Sequence, residues 1–385
     1  MYPKARYTAR LAANQKAYHT QFYNGNDGTD SYGNGGGDGD GGSGPVKRCC
    51  YDSGSQTSNV MALHINAAPT PEIVNSTVAM LVTSIYDHTA FKPGGAASGG
   101  DTAMPPTSAP AWGAGPHLDV GITGTTFIFE TLHAHAHDSV IFELLNLTTF
   151  PSLGHMISQD ATTLWEAWDG DKGSMCESGS SRNHIMFGGG VNRFLHAAVG
   201  GLTVDTRPGV GLSHAAGNHS SPGTAGSNGW QRLLVHPSPA AIRALAQGGA
   251  ERKTVRGLAK VSWTSGERAV GDALAADADA ASAPQHTLEM NVTVPLGSVA
   301  SVKLPLAIAK TVDAVTAATT AAAATVVVGG GESGGCVLSC SDMALVGTAP
   351  CMGVAAAACS HRRDGEPIMS LTVVRGGKYT FTVML

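Results

Sequence analysis

The sequence predicts an α + β protein of more than one domain, a helical first part followed by an antiparallel β-sandwich. Three observations carry this. At 385 residues the chain is long enough for two separate cores. Apolar residues recur at helical spacing in the first half and alternate with polar ones in the last third, the helical and strand signatures. A polar, glycine-rich loop, Thr206–Gly229, separates the two regimes. The expected division is a helical domain over 1–204, a linker over 205–229 and a β-domain over 230–385.

Composition excludes some functions before any motif is read. The net charge is −5 and no basic stripe occurs, which argues against a nucleic-acid partner. The longest largely apolar run, Ala321–Val328, is far too short to span a bilayer, so no membrane partner is expected. Met1-Tyr2-Pro3-Lys4-Ala5-Arg6 lacks the apolar core of a signal peptide, and secretion would need one upstream of Met1. Seven cysteines include the adjacent pair Cys49-Cys50 and a late cluster, Cys336, Cys340, Cys351 and Cys359. Without a Cys-x-x-Cys pair, disulfides are favoured there over zinc. Glycosylation sequons stand at Asn75, Asn146, Asn218 and Asn291.

Lys4–Tyr23 reads as a helix with Tyr7, Leu11, Tyr18 and Phe22 as its apolar stripe. A Gly/Asp-rich tract, Asn24–Gly44, should be loop. Thr70-Pro71-Glu72 is a strong helix start, with a threonine cap, proline at the first position and an acid in the first turn. Val74, Val78, Leu81 and Ile85 are its predicted buried stripe. After a low-complexity insert, Gly94–Gly115, helices are expected at Thr126–Ala134 and Asp138–Leu147, the second capped by Asp138. His133, His135 and His137 invite a metal reading, but only His133 and His137 share a helical face, so a polar helix–helix corner is expected. In the last third, Leu288, Met290, Val292 and Val294 alternate with polar residues. Trp230–Pro237 and Lys260–Trp263 read as strands. Leu371–Arg375 and Lys378–Val383, joined by Gly376-Gly377, predict a hairpin. Ala275–Ser282 and Ala314–Thr325 read as inserts.

One stretch concentrates the chemistry: Phe150-Pro151-Ser152-Leu153-Gly154-His155-Met156-Ile157, continuing to Ala161-Thr162-Thr163-Leu164-Trp165-Glu166-Ala167-Trp168. Charged residues are only 14% of the chain, and here one carboxylate sits between two indole rings. Aromatic faces stack on sugar C–H faces, and a carboxylate in apolar surroundings has its pKa raised, which suits acid–base work. The competing reading is a helix start with Glu166 exposed and both tryptophans in the core.

This stretch resembles the Tyr-Pro-Ser-Trp-Gly-Tyr-Met-Ile…Ala-Thr-Thr-Ile-Trp-Glu-Arg-Trp segment of the bacterial-type inverting α-L-rhamnosidases, glycoside hydrolase family 78. Further elements follow the family order. Gln56-Thr57-Ser58-Asn59-Val60-Met61-Ala62-Leu63 is similar to a Gln-Thr-x-x-Ala-Leu run, and His117–Thr125 to His-Leu-Thr-Thr-Gly-x-x-Gly-Thr. Asn183-His184-Ile185-Met186-Phe187-Gly188 resembles Asn-His-x-x-Phe-Gly, and the closing strands a Gly-x-Tyr-x-Phe element.

The resemblance implies the second half of an (α/α)6 six-hairpin glycosidase barrel followed by the family's C-terminal β-sandwich. It implies an α-L-rhamnoside substrate and no cofactor. It makes Glu166 the general base, with Trp165, Trp168, His184 and His117 as substrate-binding residues. The family's N-terminal β-domains and first barrel half have no counterpart, so Met1 is expected to be internal to a longer protein and the missing half is an expected partner. Its general acid lies in that half; Asp119, Glu130, Asp169 and Glu177 match no such motif. The chain departs from the pattern at Leu153 and His155, which replace two aromatic rings, and at Asn192-Arg193, where Glu-Trp is usual. A non-catalytic carbohydrate-binding role is the alternative expectation.

Overall fold

The computed structural model describes residues 4–24, 50–86 except Ser53, 115–170 except Asp169, 181–205, 229–268, 285–306, 324–329, 336–341, 344–347, 354–361, 367–373 and 377–384. The insert and loop expectations at Asn24–Gly44, Gly94–Gly115, Thr206–Gly229, Ala275–Ser282 and Ala314–Thr325 therefore lie almost wholly outside the described residues. The side chains of every cysteine but Cys50 do as well. The chain forms two compact units, Met1–Asn192 and Arg193–Leu385.

The first unit is helical: α1 Lys4–Phe22, α2 Gln56–His64, α3 Pro71–Tyr86, α4 Ile122–Ala134, α5 Asp138–Asn146, the short α6 Leu153–Ser158, and α7 Met186–Phe194, within which the division falls. None of the described helices is long and apolar enough to cross a membrane. Helix α3 starts where its sequence predicts. Thr70 Oγ1 accepts from the Ile73 amide at 3.4 Å, and the backbone N–H of Glu72 itself, followed by the Thr70 hydroxyl, holds the Glu72 carboxyl below its usual range. Its buried face carries Ile73, Val78, Leu81 and Ile85, with Ile73 in place of the expected Val74. Leu81 and Ile85 are wholly buried, each stabilising by about 1.5–3 kcal/mol.

Three local expectations change. On α1, Tyr7 and Leu11 are 55% and 56% exposed. Toward its C-terminal end the helix is tied in: Gln15 Nε2 donates to Ile65 O at 2.7 Å, Tyr18, His19 and Tyr23 surround buried Tyr51, and His19 Nδ1 lies 2.8 Å from its hydroxyl. Burial raises the Tyr51 pKa. Helix α4 begins at Ile122, because Gly121 takes the extended cap conformation and its carbonyl receives the Thr125 amide. Asp138 is the first residue of α5 and not its cap, which is His137. Its buried carboxylate instead takes His133 Nδ1 at 2.7 Å, which closes the α4–α5 corner.

The second unit is a β-sandwich. One sheet has the order β1-β2-β6-β11-β10, and the other β3-β4-β5-β12-β7-β8-β9. The strands are β1 Leu202–Val204, β2 Arg232–Val235, β3 Gln247–Thr254, β4 Gly257–Arg268, β5 Gln285–Val294, β6 Val299–Pro305, β7 Ala324–Gly329, β8 Cys336–Ser341, β9 Ala344–Gly347, β10 Val354–His361, β11 Pro367–Val373 and β12 Gly377–Met384. A π-helical turn, Leu195–Val199, and a short helix α8, Pro239–Ala244, complete it. The alternation in β5 holds: Leu288, Met290, Val292 and Val294 are buried, while Glu289 and Asn291 face out. Trp263 of β4 is 1% exposed and its indole N–H donates to Val199 O at 2.8 Å, tying the π turn to the sheet.

Two pairings depart from expectation. The pair β2–β6 is parallel, so the first sheet is mixed. The strands flanking Gly376-Gly377 form no hairpin: β11 pairs with β6 and β10, whereas β12 pairs with β5 and β7 in the other sheet. Both strands have full apolar inner faces, and the chain crosses between sheets where a two-glycine turn would otherwise fold it back.

Candidate functional site

The tryptophan–glutamate segment follows α6 and is not helical. Ser152 caps α6, its hydroxyl accepting from the His155 amide at 2.9 Å. The chain reverses at Asp160, in the left-handed region with φ 57°, and the Ala161 amide returns to Met156 O at 3.0 Å. Trp165 then drops into a small core with Met156, flanked by Leu153, Ala161, Leu164 and Trp168. It is 4% exposed. Gly170 lies against the indole: a Cβ there would stand 2.9 Å from two of its ring atoms, so a side chain is excluded.

Adjacent residues in this extended stretch have opposite environments. Trp165 is buried, while Glu166 is half-exposed. The Glu166 amide donates to Ser181 O at 2.7 Å, and the Ser181 amide donates back to Glu166 Oε2 at 2.8 Å. The His184 amide donates to Leu164 O at 2.7 Å, and the Thr163 hydroxyl to Arg182 O. Segments 163–166 and 181–184 are thus laced by backbone bonds, and the carboxylate has a fixed direction. A bond from a backbone N–H to a carboxylate is charge-assisted, roughly twice as strong as a neutral one.

This lacing brings Glu166, Trp165 and His184 together; Trp168 joins them through the small core. The Trp168 indole is half-buried and donates from Nε1 to Val120 O at 2.8 Å, joining the segment to 117–120. His184 is half-exposed, and its Nδ1, itself buried, has no hydrogen-bond partner among the described residues. Trp165, by its burial, supports the segment from behind, so the flanking rings differ in role: one sits in the core and one lies at the surface.

His117 is placed differently. It is 1% exposed, with Nδ1 2.9 Å from Gly115 O and Nε2 3.4 Å from the Thr149 hydroxyl. Its contribution is to anchor 115–120, the segment that receives Trp168. The same segment is held by Gln56, the first residue of α2. Gln56 is 2% exposed; its Nε2 donates to Ser84 O and His117 O at 3.2 and 3.1 Å, and its Oε1 accepts from the Asp119 amide at 2.8 Å. The available signal was a glutamine at the helix start, on the face that also carries Asn59, Val60 and Leu63. Of the other carboxylates, Asp119 is exposed and Glu130 half-buried, while Asp169 and Glu177 lie outside the described residues. Among the described residues no group of three side chains could hold a metal ion.

Residues 111–199 match the family described as the bacterial α-L-rhamnosidase six-hairpin glycosidase domain. The chain is 30% identical to an α-L-rhamnosidase of Streptomyces avermitilis over 126 residues, 32% of this chain and 10% of that protein. It is 29% identical to one of an Alteromonas species over 89 residues, 22% of this chain and 10% of that one. The chain thus spans about a tenth of the length of these curated relatives. Its fold is similar to the solved S. avermitilis α-L-rhamnosidase complexed with L-rhamnose, with a TM-score of 0.53 at 18% identity, covering 99% of this chain and 24% of that one. It is also similar to the α-L-rhamnosidase of Dictyoglumus thermophilum, with a TM-score of 0.50 at 20% identity, covering 88% and 27%.

Proposed function

We propose that this chain, whose residues 111–199 are an α-L-rhamnosidase six-hairpin glycosidase region, supplies the water-activating half of an inverting α-L-rhamnosidase. Inversion uses two carboxyl groups about 6.5–9.5 Å apart, one protonating the leaving oxygen and the other deprotonating the attacking water. In this reading Glu166 is the base. The observation that carries it is the fixed carboxylate: with Oε2 engaged by the Ser181 amide at 2.8 Å, the other oxygen can receive a water proton in a set direction. Trp168 offers a half-exposed ring to a sugar face and His184 offers polar contact to a hydroxyl. Trp165 and His117 hold these groups in place.

The proton for the leaving oxygen comes from a second carboxylic acid, and none in this chain matches the family motif for it. Without acid assistance hydrolysis slows by about 10²–10⁴-fold. The chain by itself then acts as a rhamnoside-binding unit, and the other barrel half is the partner that completes the reaction.

Two measurements on the full chain test this together: L-rhamnose binding by calorimetry, and hydrolysis of an aryl α-L-rhamnoside, each for the wild type, Glu166→Gln and His184→Ala. The expected outcome is saturable L-rhamnose binding that weakens in His184→Ala, with any hydrolysis lost in Glu166→Gln. Hydrolysis unchanged in Glu166→Gln would remove Glu166 from the role of base. No binding by folded protein would remove both readings.

A further inference from the structure

We propose a second saccharide-binding site, on the outer face of the seven-stranded sheet in the β-unit. A cavity of about 340 Å³ lies there, lined by Gln247, Gly248, Ser262, Trp263, Thr264, Glu289 and Asn291. It belongs to the second unit and shares no residue with the Glu166 segment, so it stands apart from the proposed function.

Strand register explains why the sheet is hollow at this point. Gln247, Thr264 and Glu289 stand in one cross-strand row, and Gly249, Ser262, Asn291 and Thr380 in the next. The edge strand β3 contributes consecutive glycines, Gly248 and Gly249. A Cβ at Gly248 would come within 2.4 Å of the Trp263 ring, and one at Gly249 within 2.7 Å of Val261 O. Gly248 pairs with Trp263, and its missing side chain makes room for the buried indole on the inner face; Gly249, in the outer row beside Ser262, leaves that row without a side chain at the sheet edge. What remains is a trough whose open side is an edge strand.

The lining selects a chemical class. Two hydroxyls, two amides and one carboxylate face the cavity, every one a hydrogen-bonding group. Among the described residues no lysine or arginine lines it, so an anionic ligand would meet Glu289 without compensation. No exposed apolar side chain lines it either, since Trp263 is 1% exposed. The Asn291 amide is already oriented: Oδ1 accepts from the Thr380 hydroxyl at 2.7 Å and Nδ2 lies 3.3 Å from Glu289 Oε1. Planar amides and carboxylates present paired donors or acceptors at the spacing of vicinal hydroxyls. A neutral sugar fits these groups, and the volume is within the range of small-molecule sites, about 300–1,000 Å³. Lacking an aromatic platform, the site should bind at millimolar strength, on the order of −4 kcal/mol.

The test uses isotope-labelled full chain made without glycosylation, because Asn291-Val292-Thr293 is itself a sequon. Backbone amide shifts are followed while L-rhamnose, maltose or glucuronate is added. Expected are saturable shifts at 247–249, 262–264 and 289–291 with at least one neutral sugar, and about fivefold weaker response to glucuronate. Ser262→Phe, which fills the trough from a half-exposed strand position, should weaken binding about tenfold. Asn291→Ala should do the same if Ser262→Phe disturbs the sheet. Absence of shifts with both neutral sugars, equal or tighter glucuronate binding, or undiminished binding in a folded variant would overturn the proposal.

Discussion

Two neighbouring glycines of α7 give a sharp test of the helical packing, because the same substitution should act in opposite directions. Gly189 is exposed, and a Cβ there would have nothing within 4 Å. Replacing it with alanine should stabilise the helix by about 0.5–1 kcal/mol, through the backbone entropy of the unfolded chain. Gly190 is buried, and a Cβ there would stand 2.4 Å from Thr125 O and 2.9 Å from Thr126 O, both backbone atoms of α4. Backbone cannot swing aside like a side chain, so the two helices must separate by roughly 1 Å. Overpacking of this kind costs about 1–3 kcal/mol. Set against the same propensity gain, Gly190→Ala should destabilise by up to about 2 kcal/mol, leaving the variants about 1–3 kcal/mol apart. With urea m-values of about 1–3 kcal/mol/M, the helical unfolding midpoints should differ by roughly 1 M. Far-ultraviolet circular dichroism during urea titration reads this directly, since the helices belong largely to the first unit. If both variants are stabilised alike, α7 does not cross α4 at Gly190, and the contact that carries the argument is absent.

Three other perturbations follow from the geometry. Gln56→Leu removes the partner of two buried carbonyls and one amide, so it should cost about 2–4 kcal/mol and speed hydrogen exchange at the Asp119 amide most; unchanged exchange there would show that Gln56 does not hold the segment. Trp168→Phe keeps the ring but loses the bond to Val120 O, and should cost about 1 kcal/mol with a parallel loss of L-rhamnose affinity; unaltered binding would dissociate Trp168 from the sugar. Burial, with a smaller contribution from the 2.8 Å bond to Glu143, pushes the Tyr86 hydroxyl up to about 12, and burial likewise raises that of Tyr51. Since an unfolded tyrosine titrates near about 10, their stabilising contribution is full below that pH and is lost as pH rises through the folded values. Phenolate absorbance should therefore appear in two stages on alkaline titration, the second coinciding with unfolding; Tyr86→Phe should shrink it.

What the sequence made legible was mostly period and punctuation. The Thr70-Pro71-Glu72 start and the β5 alternation depend on one segment at a time, and both are found as predicted. The segment around Glu166 was legible as a motif but not as a shape. Whether Trp165 lies in the core depends on Gly170, Met156 and a reversal at Asp160, none of which has a periodic signature. Its lacing to Ser181–His184 is backbone bonding between separate segments, invisible to any reading of side-chain type. Asp138 looked like a cap because capping preferences are local, while its actual partner, His133, is supplied by the preceding helix. The hairpin failed for the same reason. Gly376-Gly377 is a valid turn signal, but two apolar strand faces can be buried in different sheets as well as in one.

That crossing has a consequence for synthesis. β12 is the middle strand of its seven-stranded sheet, inserted between β5 and β7, yet it follows both of them in the sequence. Until β12 has emerged, β5 and β7 each present an unpaired edge, with Leu288, Met290 and Val292 bare on the inner side of β5. The sheet can close only once β12 is made, so a nascent chain stalled before Gly377 is a ready client for holdase chaperones. Deleting β12 would expose the same two edges permanently and make the β-unit prone to pair with other chains.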